Sequence, residues 1–296
     1  AITKALHASL LAAGGEVRTG AGVEKILVSG GRAVGVVLAN GDELRGARIV
    51  SNMDVKRTFL RHVDAADLPG PFLKRVRDFK TRGSSGKLNI ALDRAPHFTA
   101  LPEGAPNLKG DLHFTDSIER MEHAYDDWKN GHFSRDPFQD VMIPTLIDTT
   151  MTPTGKHFMS CFVQYAPPKI EGHDWTDADR DAFGQTCLDQ IEKHAPGFKN
   201  SVLHVEVRTP RELEAEVGLT EGNIFQGELT FDQLLFNRPV PGYAQYRTPI
   251  PDLWMCGSST HPGGGVMGAP GRNAAAEILR EAKAPRHHMS DAYAVL

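Results

Sequence analysis

The feature that most constrains this chain is a glycine-rich turn between an apolar segment and an alanine-rich one. Residues 253–256 predict a short buried strand, and the alanine-rich run from about Met267 to Ala282 predicts a helix. Pro270 limits where that helix begins, because proline has no amide hydrogen and its ring collides with the carbonyl four residues back. We therefore expect the helix to start near Val266 or Met267.

A helix start at this position leaves the amides of the turn without intrahelical partners. These are the amides of Gly265, Val266, Met267 and Gly268, which would carry the positive end of the helix dipole. The glycines leave little side-chain bulk around them. The turn therefore suits a flat or anionic ligand that contacts the backbone. A tight turn whose glycines serve only close packing explains the spacing equally well.

The residues of this segment are more specific than their spacing. The sequence GSSTHPGGGVMGAPGRNAA at 257–275 resembles the C-terminal flavin-contacting segment of the phytoene desaturase-like FAD-dependent oxidoreductases. Within that family it is similar to the branch named for pyridine nucleotide-disulfide oxidoreductase domain-containing protein 2. Two further blocks agree, at 222–242 and at 1–26, so the resemblance extends over the whole chain.

The resemblance implies an α/β fold with mixed α+β character, in two lobes. One is the C-terminal portion of a glutathione-reductase-like FAD-binding lobe, and the other is an antiparallel-sheet substrate lobe. Residues 1–52 and 250–296 are assigned to the FAD-binding lobe and residues 53–249 to the substrate lobe. Family members begin with a strand, a Gly-rich loop and a ribose-binding acid, which this sequence lacks. We therefore expect the chain to be the C-terminal part of a longer protein.

Hydrophobic periodicity predicts the local elements. Ile2, Leu6 and Leu10 recur at helical spacing, and the pair Gly14-Gly15 ends that helix. A capping signal at Thr176 starts another helix, with a buried stripe of Phe183, Cys187 and Ile191. The other predicted helices are 71–81 and a short acidic one from Pro210, the predicted strands are 16–19, 23–28, 33–39, 47–51, 86–93, 140–147, 157–165 and 202–208, and residues 95–137 are predicted to be irregular.

The resemblance also implies which residues contact FAD. A backbone amide near Val266 or Met267 would donate to the pyrimidine carbonyl and stabilise negative charge on the reduced flavin. Ser258 and Ser259 would bond the ribityl or phosphate region. Val23 would cover the adenine through its backbone, although an ordinary meander with Val23 in its core explains the same residues. The predicted cofactor-binding residues are Val23, Gly257, Ser258, Ser259, Gly264, Gly265, Val266 and Met267.

No side chain stands out as a catalytic acid or base. His261 lies beside the turn, where an imidazole could donate to a flavin carbonyl or move a proton. It could also brace the turn by bonding a backbone carbonyl, and we expect this second role. Gln226 occupies a position where the family most often has histidine, and glutamine cannot titrate.

Four further side chains have two interpretations each. Arg238 and Arg272 are candidates for holding a phosphate or an acid, but a solvated surface arginine is the default expectation for both. Tyr243 and Tyr246 could line the substrate side or cover the junction of the lobes. The sequence does not decide between these roles.

Composition and motifs exclude several classes of protein. Lys and Arg total 33 against 37 Asp and Glu, so we expect no nucleic-acid partner. No apolar stretch approaches the ~20 residues of a transmembrane helix. Cys161, Cys187 and Cys256 are odd in number and form no CxxC pair, which indicates a reducing compartment, cytoplasmic or other, and no chemistry through paired thiols.

We also expect no metal site. Asp177, Asp179 and Asp181 start like a calcium loop, but Ala182 stands where that loop needs glycine. The pair His287-His288 has no cysteine or carboxylate at ligand spacing.

The function implied by the resemblance is hydride transfer involving FAD and an apolar or alkene-rich small molecule. Two alternatives stay open: a redox-neutral isomerase that uses reduced flavin, and a non-catalytic binding or regulatory protein on a flavoenzyme scaffold. Peripheral membrane contact for substrate access and a homodimer also stay open. We expect the chain alone to be colourless and inactive, because the family takes most of its cofactor contacts from the missing Gly-rich unit.

Overall fold

The computed structural model describes residues 2–102 and 104–283, which form two compact units. The first unit contains the described residues up to 79, residues 235–262 and those from 268 onwards. The second contains residues 80–234 and 263–267. These boundaries differ from the predicted lobes, 1–52, 53–249 and 250–296. His287 and His288 lie outside the described residues.

The helices and strands are named in chain order. The helices are α1 (Ile2–Ala12), α2 (Val55–Arg61), α3 (Gly70–Asp78), α4 (Ile118–Lys129), α5 (Asp177–His194), α6 (Pro210–Glu212) and α7 (Ala269–Lys283). The strands are β1 (Val23–Ser29), β2 (Arg32–Leu38), β3 (Glu43–Arg45), β4 (Ile49–Ser51), β5 (Ser85–Leu92), β6 (Leu112–His113), β7 (Phe138–Met142), β8 (His157–Gln164), β9 (Val202–Arg208) and β10 (Leu253–Met255). Within the described ranges, every helix is too short or too polar to span a lipid bilayer.

The first unit contains two small sheets. Strands β1, β2 and β3 form an antiparallel meander, and β4 pairs in parallel with β10. All three residues of β10 are buried, which confirms the predicted short apolar strand. Its residues Leu253, Trp254 and Met255 lie opposite Ile49, Val50 and Ser51.

One apolar cluster explains why the unit boundary differs from the prediction. Helices α2 and α3 bury Phe59 and Phe72 in the same cluster as Ile26 of β1 and Met255 of β10. Val240 belongs to this cluster as well. Residues 53–79 and 235–249 therefore pack with the strands of the first unit, because their apolar faces are covered there.

The second unit is built on a five-stranded antiparallel sheet in the order β6-β7-β8-β5-β9. Helix α5 buries its predicted stripe in the same apolar cluster as the inward side chains of this sheet. Thr176 caps α5, since its Oγ1 accepts the amide of Asp179 at 3.2 Å and the Asp179 carboxylate accepts the amide of Thr176 at 2.8 Å. The predicted antiparallel sheet backed by a helix is confirmed.

Three local predictions were wrong. Residues 16–19 form no strand, and β7 ends at Met142 because Pro144 opens a short helical turn. The segment 95–137, predicted to be irregular, contains α4. Ser117 caps α4 by accepting the amide of Arg120 at 3.2 Å, and the helix buries Ala124 and Trp128. Few apolar residues mark its buried face, so periodicity alone gives a weak signal.

Helix α1 ends as predicted, at a left-handed glycine. Gly14 has φ 81°, and the amide of Gly15 donates to the carbonyl of Leu10 at 2.9 Å. None of the residues of α1 is buried. Ile2 and Leu6 are 69% and 67% exposed, so the apolar stripe of this helix faces outward.

Candidate functional site

The glycine-rich turn begins where β10 ends. Cys256 continues the parallel pairing, because its amide donates to the carbonyl of Ser51 at 2.8 Å. Gly257 follows at the carboxyl ends of two parallel strands, where α/β proteins commonly place their ligands. The buried strand therefore fixes the start of the turn.

Residues 257–260 form a closed turn. The carbonyl of Gly257 accepts the amide of Thr260 at 3.0 Å and the Thr260 hydroxyl at 2.7 Å. The hydroxyl of Ser259 accepts the amide of Val55 at 3.1 Å, in the first turn of α2. Ser259 and Thr260 are both fully buried. The Ser259 hydroxyl thus has a structural partner, and its predicted bond to the ribityl or phosphate region stays a prediction.

A buried arginine fixes the middle of this turn. The guanidinium of Arg238 donates to the carbonyl of Ser258 from Nε at 3.0 Å and from Nη2 at 2.8 Å. Arg238 is 0% exposed, with its Cζ 5.8 Å from the ring centroid of Phe79. Burial lowers the pKa of Arg238 to about 10, so it stays charged at neutral pH. The default expectation of a surface arginine was wrong for this residue.

Tyr246 holds the end of the turn. Its hydroxyl donates to the carbonyl of His261 at 2.8 Å and accepts from Nδ2 of Asn273 at 3.0 Å. Asn273 lies in the first turns of α7, so this chain of bonds ties His261 to that helix. Tyr246 is buried in a cluster with Trp254 and Ala274. The structure therefore gives Tyr246 a positioning role that the sequence did not specify.

Helix α7 begins at Ala269, two to three residues later than predicted. Val266 and Gly268 have φ values of 55° and 66°, which lie in the left-handed region and cannot extend a right-handed helix backwards. Pro270 occupies the first turn as predicted, and the amide of Arg272 makes a helical bond to the carbonyl of Gly268 at 3.1 Å. The free amides at this helix start therefore belong to Ala269 and Gly271, and those of residues 265–268 precede the helix.

Six consecutive amides of the turn make no hydrogen bond to the described residues. Across the described part of the chain, the amides of residues 263–268 donate to no protein acceptor. Val266 is 96% exposed and Met267 is 58% exposed, so neither side chain is part of a packed core over this backbone. A row of unbonded amides on a nearly bare turn fits a flat or anionic group. These residues include the predicted contacts Gly264, Gly265, Val266 and Met267.

The imidazole of His261 does not brace the turn. Its Nδ1 is buried and has no hydrogen-bond partner among residues 2–102 and 104–283. The bracing bond is made instead by the backbone carbonyl of the same residue, to Tyr246. The expected side-chain brace was therefore wrong, and a proton-transfer role for His261 stays a prediction.

Gln226 lies in the second unit, in a loop organised by Asn223. Gln226 has φ 54°, and its amide donates to the carbonyl of Asn223 at 2.9 Å. The Asn223 side chain is buried and accepts the amides of Phe225 at 2.8 Å and Gly227 at 3.3 Å. Sequence analysis missed Asn223, although asparagine at the start of a tight loop is a known signal. A catalytic role for Gln226 stays a prediction.

The remaining predicted residues are Val23, Tyr243 and Arg272. Val23 opens β1 opposite Leu38 and makes no hydrogen bond to residues 257–268. Tyr243 packs edge-on against Phe72, with ring centroids 5.0 Å apart, so it belongs to the core of the first unit. Arg272 is exposed, in agreement with its default expectation. The adenine contact of Val23 stays a prediction.

The three cysteines form no disulfide. Burial raises the pKa of the Cys161 thiol to about 12 and also raises the pKa values of Cys187 and Cys256. All three are therefore protonated at neutral pH. Since the thiolate is the reactive form, these cysteines are poor nucleophiles.

The chain is similar to several known proteins. No protein-family model matches the sequence. Over 292 residues the chain is 40% identical to pyridine nucleotide-disulfide oxidoreductase domain-containing protein 2 of Rattus norvegicus, covering 96% of this chain and 50% of the rat protein. Over 275 residues it is 30% identical to a chloroplastic prolycopene isomerase of Daucus carota, covering 90% of this chain and 40% of the isomerase.

The chain belongs to the phytoene desaturase-like family of FAD-dependent oxidoreductases. It spans about half the length of the curated relatives that it matches. A solved oxidoreductase from Methanosarcina mazei has the same fold, with a TM-score of 0.60 at 18% identity, and the match covers 94% of this chain and 53% of that one. The bare turn with its unbonded amides fits the isoalloxazine end of FAD, which is flat and carries carbonyl acceptors. FAD, the cofactor of this family, is therefore a group that the amides of this turn fit.

Proposed function

We propose that this chain supplies the flavin-contacting turn and the substrate lobe of an FAD-dependent oxidoreductase acting on an apolar or alkene-rich substrate. The observation that carries the proposal is that the amides at residues 263–268 have no acceptor among the residues that the structure describes. The family membership supports oxidoreductase chemistry in general. The substrate class and the direction of hydride transfer are the parts of the function that go beyond family membership and that we propose.

In this proposal the protein positions the substrate and stabilises negative charge on the reduced flavin, while bound FAD supplies the hydride chemistry. The amides of Val266 and Met267 would donate to a ring carbonyl that gains negative charge on reduction, where fixed dipoles are most effective. Arg238 and Tyr246 hold the backbone on the preceding side of these amides, at Ser258 and His261. Preorganised donors of this kind need no rearrangement during the reaction.

His261 is the titratable side chain next to these donors in sequence. Its Nδ1 is buried and has no hydrogen-bond partner among the described residues, so a ligand group bound beside the turn would supply the missing partner. Flavin-dependent hydride transfer from an apolar carbon does not require a protein base. We therefore propose that His261 tunes the reaction and that the hydride step itself proceeds without it.

A redox-neutral isomerase is the second candidate function. It is favoured by the 30% identity to the carrot prolycopene isomerase over nearly the whole chain. Both candidates use the same turn and the same cofactor. They differ in whether the substrate gains or loses electrons overall, which the protein fold does not decide.

The deciding experiment uses the full-length gene product. We expect it to purify yellow with FAD, and its absorbance to bleach when an oxidisable alkene-rich substrate is added without oxygen. Conversion of a cis polyene by the reduced protein, with no net reoxidation of the flavin, would favour the isomerase. A full-length protein that binds no flavin at all would refute both proposals.

The 296-residue chain alone is the control. We expect it to retain no FAD, because the contacts that the family makes to the pyrophosphate are absent from it. Charge-assisted hydrogen bonds contribute roughly 1.5–3 kcal/mol each, so losing several weakens binding by several orders of magnitude. Stoichiometric FAD in a preparation of these residues alone would contradict this expectation.

A further inference from the structure

Helix α4 contains the centre of a row of three aromatic rings that the function proposed above does not use. Tyr125 of α4 lies between Trp128 of the same helix, with ring centroids 5.3 Å apart, and Tyr165 after β8, with ring centroids 5.2 Å apart. The planes of Tyr125 and Trp128 are inclined by only 16°, so these two rings are stacked. All three residues belong to the second unit, and together they are called the aromatic row.

The composition of the aromatic row distinguishes it from the other ring contacts of the protein. The sequence contains 5 tyrosines and 3 tryptophans, and the row takes three of them. Among the residues that the structure describes, its two contacts are the only ring pairs without phenylalanine. Tyrosine and tryptophan lose an electron far more readily than phenylalanine. The row therefore places three oxidisable rings in direct contact.

Trp128 is held so that an oxidised indole keeps its proton. The residue is 8% exposed, and its Nε1 donates to the carbonyl of Gly83 at 2.9 Å. A peptide carbonyl is too weak a base to take that proton. The guanidinium of Arg82 lies 4.9 Å from the centroid of the indole, and the Glu228 carboxylate fixes it at 2.7 and 3.0 Å. A cation that faces the ring disfavours a second positive charge there, so an oxidised Trp128 would take an electron from a neighbour.

The two tyrosines form the end of the aromatic row that reaches solvent. Tyr125 and Tyr165 are both partly exposed. Burial raises the pKa of Tyr165 above its ordinary value of 10.0, so the phenol is protonated at neutral pH. Its oxidation therefore releases a proton to water and leaves a neutral radical. The ammonium group of Lys129, 5.0 Å from the ring centroid of Tyr125, does not disfavour a neutral radical as it would a cation.

We propose that the aromatic row is a relay that carries oxidising equivalents from the interior of the second unit to its surface. A one-electron oxidant of the carbonate-radical class takes an electron from Trp128 and leaves a radical cation. Tyr125 returns an electron to Trp128 and loses its phenolic proton to water. Tyr165 then gives an electron to Tyr125, which regains a proton from water as Tyr165 loses its own. A thiol finally donates one electron and one proton to the Tyr165 radical and becomes a thiyl radical. This relay is independent of the glycine-rich turn.

The test is pulse radiolysis of the 296-residue protein with the azide radical, which oxidises tryptophan in preference to tyrosine at neutral pH. Wild-type protein should show an indole-radical absorbance that decays while the tyrosyl absorbance rises, at a rate independent of protein concentration. Trp128→Phe should remove this transfer phase. Tyr125→Phe should slow the same phase at least tenfold, because phenylalanine keeps the stacked contact but is not oxidised. Mass spectrometry with a nitroso spin trap should place the adduct on Tyr165, and on Tyr125 in Tyr165→Phe.

Trp175→Phe is the matched control, because Trp175 of the same unit contacts the rings of Phe133 and Phe183. Trp254→Phe is a second control, at a tryptophan that packs in the first unit. Both variants should keep the phase that Trp128→Phe removes, and circular dichroism checks that every variant is folded. A wild type without concentration-independent transfer, an unchanged phase in Tyr125→Phe, or an equal loss in Trp175→Phe would each overturn the proposal. FAD binding by the full-length protein decides the proposed function separately.

Discussion

Arg238 and Ser258 join the two sequence blocks that define this family segment. The guanidinium donates twice to the Ser258 carbonyl, at 3.0 and 2.8 Å, and no part of Arg238 reaches solvent. Arg238 lies 20 residues before Ser258, in the block at 222–242. The arginine therefore holds the turn by bonding the backbone carbonyl of Ser258, and it does not present its charge to a ligand at the surface.

The first prediction removes this contact. Arg238→Met should lower the free energy of unfolding by roughly 2 kcal/mol or more, because the Ser258 carbonyl loses a charged donor and a hydrogen bond to a charged group contributes about 1.5–3 kcal/mol. Chemical denaturation of the 296-residue chain measures this. Arg272→Met is the control, and at its exposed position it should change stability by less than about 0.5 kcal/mol. Equal effects of the two changes would contradict the positioning role.

The second prediction separates the backbone of His261 from its side chain. Tyr246→Phe should cost about 1 kcal/mol of stability, because it leaves the His261 carbonyl and the Asn273 amide without their shared partner. His261→Asn should cost less, since that bond is made by the main chain. Thermal unfolding of both variants checks the order. If His261→Asn were the more destabilising change, the imidazole would have a structural role after all.

The sequence predicted the elements whose signals are local. The cap at Thr176 and its i, i+3 acid, the alternation of β5 and β8, and the proline in the first turn of α7 all specify backbone through near neighbours. Helix α4 was missed because its buried face contains few apolar residues. Its contacts, such as the bond from Trp128 Nε1 to the Gly83 carbonyl at 2.9 Å, are distant in sequence.

The candidate site was predictable as a segment and not as a geometry. The motif located the segment 257–275. The start of helix α7 within that segment depends on the left-handed conformations of Val266 and Gly268. A valine at positive φ is disfavoured, so no propensity rule predicts it. The positions of Arg238 and Tyr246 depend on tertiary packing, and a single sequence does not reveal which arginine is buried.

The third prediction concerns the turn itself. Gly265 has φ 140°, and an added Cβ would lie 2.8 Å from the end of the Met267 side chain. In the full-length protein Gly265→Val should therefore abolish flavin retention and leave the protein folded, because strain and bulk appear where the ligand approaches. Gly155→Val is the control, since Gly155 also has positive φ (78°) but has open space around it. Absorbance at the flavin band measures the retained cofactor. Unchanged flavin affinity in Gly265→Val would refute the contact.

The fourth prediction concerns acid stability. Arg120 binds both oxygens of Asp136, at 2.5 and 2.8 Å, and this holds the pKa of Asp136 below its ordinary value of 3.8. The resulting stabilisation is complete above pH 3.8 and is lost as the pH falls through the lowered value. Asp136→Asn should therefore flatten the decline of unfolding free energy below about pH 4. Arg120→Met should flatten the same decline, because it removes the partner that lowers the pKa of Asp136. Parallel slopes for wild type and Asp136→Asn would contradict the prediction.

The last prediction concerns the apolar stripe of α1. Leu6 and Leu10 are 67% and 45% exposed, and none of the residues of α1 is buried. Exposed apolar stripes of this kind favour association, so we expect the 296-residue chain to form a dimer through α1 at micromolar concentration. Leu6→Glu should shift it to monomer, because a charge would be buried in the contact. Leu203→Glu is the control, at a 57% exposed leucine of β9. Light scattering after size-exclusion chromatography gives the mass of each variant. A monomeric wild type, or an equal shift in both variants, would show that α1 does not form the contact.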